Sequence, residues 1–491
     1  MAVKSPEAYR QRVKAMTPRV FMDGKRVEDI AAHPVTRTVV EANLASYEWA
    51  QDPEAGKLLT RPSHLTGEPC NLYTTLNRSP EDLLQRAAAG LYAASNLGTC
   101  IYRCVGADAL NALAATTFEV DRDLGTGYHA RFLDFLRLVQ EEDLSVAGAM
   151  TEPRGPRDRK ISEWTDPDLS LRVVEQNEHG IVVNGAKINI SGAYACDWTL
   201  VMPSGARRPG EEPYAVAFAV PNGAEGMVYV CQYGPHAAER LLADDPWELG
   251  NPRFGQRETS LVVFDHVFVP WARVFLCGET KYAGRLVARF AQLHRMVCGG
   301  SCKVGFGRVL VGAARLIQEY KGLEHAPHVN DQMTEMVTLL ETVRACSKAA
   351  ALEGREEVPG SGVWFPNDLL GNVSKLNVCT AFWRLMALAG DIGGGVVVTL
   401  PSLKELKNPE TRAYVEKFYG FGSDASAGRI MKVTKLLQHW TAGLHGVGTW
   451  HGAGPVQAQK IMVQRLTDYG EMKDLARRMA GIDAEPPPTA G

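Results

Sequence analysis

Residues 171–193 read LRVVEQNEHGIVVNGAKINISGA. Two β-branched runs, divided by an Asn/His/Gly break, specify strands and a turn, not helix. Similar runs follow at residues 214–233, YAVAFAVPNGAEGMVYVCQY, and 259–276, TSLVVFDHVFVPWARVFL. A β region therefore occupies about residues 148–275. What surrounds it is helical. Upstream, SPEAYRQRV (5–13) offers Ser5 as a cap with Pro6 behind it, and SPEDLLQRAAAGLYAAS (79–95) repeats the device. LNALAATTFEVDRDLG (110–125) continues helical spacing, and RVFMDGKRV (19–27) is a hairpin around Asp23-Gly24. Downstream, long helical patterns start at residues 282, 308, 330 and 367.

The expected organisation is a mainly helical domain (1–147), a middle β domain (148–275), a C-terminal helical bundle (276–482) and a disordered tail (483–491). This is an α+β arrangement with neither a βαβ alternation nor a solenoid repeat.

Bulk properties exclude several classes. The 491 residues are 45% hydrophobic and 22% charged, with a formal net charge of −3. Nothing there suggests a nucleic-acid surface. No apolar run reaches the roughly 18 residues of a membrane span. The start, MAVKSPEAYRQRV, has no apolar signal core, and ten cysteines are scattered along the chain, so reduced thiols in a cytoplasm are expected.

Two stretches concentrate soft ligands. HRMVCGGSCKVG (294–305) places His294, Cys298 and Cys302 at successive steps of four, and GTCIYRCVGADALNAL (98–113) places Cys100 and Cys104 likewise. On helices, each set shares a face. A metal held between packed helices and a buried thiol core both satisfy this spacing. Other features are equally two-sided. GAMTEPRGPRD (148–158) offers Thr151, Arg154 and Arg157 to a cofactor anion, or is a polar linker. Gly393-Gly394-Gly395 suits a tight turn or a backbone approach to a cofactor. Glu258, at the entry of an apolar run, is a general base or a strand-edge charge. GFGRVLVG (305–312) lies in a helical run, so no dinucleotide fold is indicated.

Several segments together resemble one family: HLTGEPCNLYTT, GTCIYRCVGADALNAL, DLSVAGAMTEPRGPRD, GIVVNGAKINISGA, LVVFDHVFVPWARVFLCGE, VARFAQLHR, CKVGFG, DIGGGVVVTLPS and HGAGPVQAQKIM. The chain is similar, over about residues 60–482, to the flavoprotein group of 4-hydroxybutyryl-CoA dehydratases/vinylacetyl-CoA isomerases and reduced-flavin 4-hydroxyphenylacetate 3-hydroxylases. The dehydratase branch is the better match. The resemblance implies an acyl-CoA-dehydrogenase-like fold assembled as a homotetramer or homodimer. It implies FAD lined by Met150, Thr151, Glu152, Pro153, Arg154, Arg157, Asn189 and Ser191. It also implies a [4Fe-4S] cluster held by Cys100, Cys104, His294 and Cys302. The implied reaction is radical dehydration of a hydroxyacyl thioester or related substrate. Glu258, His294, Cys298, Lys303 and His445 are the expected catalytic set. The alternative is an aromatic monooxygenase supplied with reduced flavin by a partner reductase.

Three departures point to an altered substrate. Cys298 stands where the family has tyrosine. Ser301 is one residue extra, which turns a helix by about 100° unless a bulge absorbs it, and which opens the ligand place to either Cys298 or Cys302. Gly448 replaces a family glutamate, with His445 and Thr449 nearby.

Overall fold

The computed structural model describes residues 3–153, 155, 158–231, 244–441 and 452–482. Arg154, Arg157, His445, Gly448, Thr449 and the tail 483–491 lie outside the described residues.

The local start signals act as expected. Ser5 Oγ accepts from Ala8 N at 3.1 Å and opens the helix Pro6–Ala15. Ser79 caps the helix Pro80–Leu97 in the same way. Asp23 and Gly24 have φ of 53° and 73°, the two positive values a tight hairpin turn needs. They join strands β1 (Arg19–Met22) and β2 (Lys25–Val27).

Twelve further strands follow among the described residues: β3 (Thr60–Pro62), β4 (Pro69–Asn71), β5 (Val146–Ala149), β6 (Arg172–Gln176), β7 (Gly180–Ser191), β8 (Trp198–Val201), β9 (Val216–Pro221), β10 (Met227–Cys231), β11 (Thr259–Pro270), β12 (Val274–Cys277) and a short late pair, β13 (Arg355–Glu356) and β14 (Trp364–Phe365). β3 and β4 pair only with each other. The middle region is two sheets, ordered β2-β1-β10-β11-β7-β6 and β12-β9-β8-β5. β1 runs parallel to β10, with Val20 opposite Tyr229, so the N-terminal hairpin completes the larger sheet. Phe218 of β9 meets Phe264 of β11 edge to face at 6.0 Å, within a core that both sheets share.

On either side of these sheets in sequence are long helices: Pro80–Leu97, Cys104–Leu124 and Tyr128–Glu141 before, and Thr280–Met296, Cys302–Tyr320, Pro327–Leu352 and Asp368–Gly393 after. Their apolar faces form one buried core that includes Leu110, Leu113, Leu286, Leu293 and Leu310. Helical, β and helical regions in this order give the acyl-CoA-dehydrogenase-like α+β fold expected. Gly305 lets two helices touch: a Cβ there would stand 2.6 Å from Ala94 Cβ and 2.7 Å from the Leu91 carbonyl oxygen. The Gly393–Gly395 run is a helix end, with Gly394 at φ 69°.

Two local expectations need correction or completion. Cys100 is not helical. The helix begins at Cys104, and Tyr102 before it takes φ 61°, so the two cysteines are not successive turns of one helix. The Tyr102 ring lies against Gly192, leaving no room for a Cβ there, and its hydroxyl accepts from Glu258 N at 3.1 Å. Those tertiary contacts hold the non-helical turn. Second, residues Val297–Ser301 form a π turn, with Cys302 N bonded to Val297 O. The extra residue is absorbed in this wide turn, and regular helix continues on both sides.

Candidate active site

A cavity of about 1020 Å³ lies where the ends of β5 and β7 meet the helix Thr280–Met296. Met150, Thr151, Glu152, Pro153, Asn189 and Ser191 all line it. β5 delivers the first four and β7 the last two. Ile188 N donates to Thr151 O at 2.8 Å and locks the two segments together. Asn189 has φ 61°, which turns the end of β7 toward the cavity.

Glu152 is buried, yet its side chain is fully engaged within the protein. It meets Lys187 Nζ at 2.5 Å, Arg207 at 3.1 Å, Ser170 at 2.5 Å and Ser204 at 2.6 Å. Burial alone would raise its pKa. Lys187 and Arg207 outweigh that and hold the carboxyl below its ordinary value. The side chain thus ties β7 to the segment after β8, and its backbone remains at the cavity wall.

Deeper lies a nest of thiols. The π turn and its flanking helices bring Cys298 and Cys302 beside Cys100 and Cys104. Cys104 hydrogen-bonds with both Cys100 and Cys298. Tyr102 N donates to Cys100 Sγ at 3.3 Å. The Cys104 partnership, then His294 and Lys303, hold the Cys298 thiol well below the usual range. Burial pushes the Cys302 thiol up.

His294 stands between nest and cavity. Its Nδ1 lies 2.9 Å from Asp108 Oδ2, and it also hydrogen-bonds with Cys298. Burial disfavours its cation, but Cys298 and Asp108 overcome this and raise its pKa. Asp108 Oδ1 accepts from Arg86 at 2.8 Å, and that pair is shut off from solvent.

Arg257 makes the second connection. It donates to Ser191 Oγ at 2.9 Å, lines the cavity, and lies close enough to Cys100 and Cys298 to feel their charge. Lys303 is buried beside Cys298 and Cys302, with its ammonium 5.3 Å from the centre of the Phe306 ring. Lys375, buried next to Lys303, is lowered to about 8, first by burial.

Glu258 is buried and is not among the cavity-lining residues. Ser260 Oγ donates to it at 3.2 Å, and Cys231 and Tyr194 stand close to it, while its Oε2 has no hydrogen-bond partner among the described residues. Burial raises its pKa to about 7.

The expected flavin-side residues that can be described and His294 thus share one cavity, and the four cysteines gather behind it. Sequence reading missed Asp108, Arg86, Arg257 and Lys375. Only Arg257, adjacent to Glu258, carried a signal. Among the described residues, no three His, Cys, Asp or Glu groups are arranged to hold a single metal ion. None of their helices is long and apolar enough to cross a membrane.

This fold, with a large cavity backed by thiols, defines an enzyme of the flavoprotein hydroxylase and dehydratase type. The 4-hydroxyphenylacetate 3-hydroxylase N-terminal pattern matches residues 5–276, and the C-terminal pattern matches residues 283–481. The chain belongs to that family. It is 38% identical to a 4-hydroxybutyryl-CoA dehydratase/vinylacetyl-CoA-Δ-isomerase of Clostridium aminobutyricum, covering 97% of this chain and 99% of the relative. It is 29% identical to the oxygenase component of a Thermus thermophilus 4-hydroxyphenylacetate 3-monooxygenase, covering 90% and 88%. An oxygen-tolerant 4-hydroxybutyryl-CoA dehydratase from N. maritimus superposes with TM-score 0.93 at 35% identity, covering 100% of this chain and 97% of that one. A 4-hydroxyphenylacetate 3-monooxygenase oxygenase component complexed with FAD gives 0.84 at 25% identity, covering 97% and 98%.

Proposed function

We propose that the chain is an FAD- and [4Fe-4S]-dependent lyase or isomerase acting on a hydroxyacyl thioester or a related activated acid. The observation that carries this reading is the buried thiol–imidazole nest opening through His294 and Arg257 onto the cavity.

The residues fit both groups. The cavity is large by the standard of small-molecule sites, which run to about 1,000 Å³, so a flavin and a substrate group can share it. Thr151, Asn189 and Ser191 offer polar atoms along one wall. Four thiols and an imidazole are the donor chemistry of an iron–sulfur cluster. Cys100, Cys104 and Cys302 would each hold an iron, with the fourth place left to the His294 and Cys298 pair. When bound, FAD supplies one-electron chemistry and the cluster a Lewis-acidic iron for a leaving hydroxyl.

The chain's own residues do the rest. Asp108 fixes the His294 ring by accepting at Nδ1, which leaves its other nitrogen facing the nest. Arg257 sets a positive charge between Ser191 and the thiols. Glu258, with a pKa near 7, can hold or release a proton at neutral pH from behind the cavity wall, where Arg257 rather than Glu258 faces the cavity. Cys298 in place of tyrosine argues for a substrate other than 4-hydroxybutyryl-CoA.

Anaerobic purification tests the reading. It expects one FAD, about four irons and about four sulfides per chain, and product formation without oxygen. Turnover that requires oxygen and a separate flavin reductase, by an iron-free chain, would establish the aromatic monooxygenase instead. Sedimentation would check the homotetramer that goes with either.

A further inference from the structure

The nest holds one donor too many. A four-iron cluster has four irons to ligate, and five soft donors converge here: Cys100, Cys104, Cys298, Cys302 and His294. The fifth is Cys298. The π turn places it in the contact chain itself, since it hydrogen-bonds with Cys104 on one side and His294 on the other. The His294 ring is therefore engaged twice, by Asp108 at Nδ1 and by Cys298.

We infer that Cys298 takes the cluster place next to His294, giving ligation by Cys100, Cys104, Cys298 and Cys302 and leaving His294 off the iron. The inference rests on the cluster reading above and revises one part of it: with every iron held by thiolate, proton donation from His294, not a Lewis-acidic iron, would serve a leaving hydroxyl.

Three observations carry it. Thiolate is the softer donor and the usual ligand of iron–sulfur clusters, so it prevails over imidazole where both reach the same place. Cys298 is a hydrogen-bond neighbour of both Cys104 and His294, so its thiol reaches the same place as the imidazole. Replacing neutral imidazole with thiolate adds a negative charge, and cations surround this position. Lys303 and Lys375 act on Cys298 from the helices Cys302–Tyr320 and Asp368–Gly393, and Arg257 from the strand side. Gly299 makes part of this possible: Lys375 carbons lie 3.2 Å from where its Cβ would be. His294, held by Asp108, is then a proton-carrying group at the cavity wall, not a weak iron ligand.

The test uses the full chain purified without oxygen. Iron and sulfide are counted, and histidine nitrogen coupling to the reduced cluster is read by electron–nuclear double resonance. The wild type is expected to hold about four irons with no histidine nitrogen coupling. His294→Ala is expected to keep its iron and its visible spectrum. In Cys298→Ala, nitrogen coupling should appear as His294 moves in, and the double variant should lose cluster iron. Flavin content and circular dichroism show that each variant is folded. Strong nitrogen coupling in the wild type, or iron loss from folded His294→Ala with Cys298 present, overturns the inference and leaves the cluster reading intact. An iron-free wild type overturns the cluster reading and this inference with it.

Discussion

Asp108 and His294 meet at 2.9 Å in a setting where the carboxylate has no access to water. The same carboxylate holds Arg86 at 2.8 Å through its other oxygen. One buried charge thus sets the orientation of an imidazole on the cavity wall and balances a cation beneath it. Such outer partners fix which ring nitrogen carries the proton.

Asp108→Asn should therefore act twice. It leaves the Arg86 cation buried without its counter-charge, at a cost of about 3–5 kcal/mol, read by urea denaturation. It also frees the His294 ring. Replacing both partners with apolar residues of similar volume, Arg86→Met with Asp108→Leu, should recover much of the stability without restoring the ring's orientation.

Glu258 predicts a pH dependence whose sign follows from burial. Its pKa in the folded chain is raised from 4.5 to about 7. The neutral form is favoured by folding, so its contribution to stability is complete below pH 4.5 and fades as pH rises through about 7. Glu258→Gln should thus gain stability relative to wild type above that pH and not below it. Activity should show the opposite slope, rising with a midpoint near 7, if the carboxylate is the base. The substitution should remove that limb and lower the rate about 10²- to 10⁴-fold.

Arg257 places positive charge beside Cys100 and Cys298 while bonded to Ser191. Reducing a thiolate-bound cluster adds negative charge, which a nearby cation favours. On the proposed cluster reading, Arg257→Gln should shift the cluster potential to more negative values in a redox titration, and, with Ser191 as a proposed flavin contact, should weaken flavin retention. Arg257→Lys should keep most of the potential and lose the hydroxyl contact.

Gly305→Ala tests the crossing behind the nest. Its new methyl meets Ala94 Cβ at 2.6 Å and the Leu91 carbonyl at 2.7 Å. Backbone cannot yield as a flexible side chain does, so overpacking of about 1–3 kcal/mol is expected in thermal unfolding.

Much of this was legible beforehand, for stated reasons. Periods of two and 3.6 separate the β middle from its helical flanks, and Ser5, Ser79 and Asp23-Gly24 are local devices that act without distant help. Cys100 was misplaced because its turn depends on distant parts of the chain. Tyr102 is held by Gly192 and Glu258, 90 and 156 positions away, which no local window contains. Asp108 and Arg86 escaped notice because a charged residue in an amphipathic helix reads as solvent-facing, and only packing shows these two face each other. The extra residue at Ser301 was visible, but whether it would misdirect the following helix was a question of backbone hydrogen bonding. Cys302 N reaches back five residues to Val297 and answers it.

That wide turn has a consequence for the helix that follows it. In an ordinary helix, an added residue is a phase error inherited by every position after it. Here the error is confined to one loop of the spiral, so Lys303, Gly305 and the rest of the helix keep their bearings. The nest is thereby a place where one side chain can be exchanged for another without disturbing the scaffold behind it.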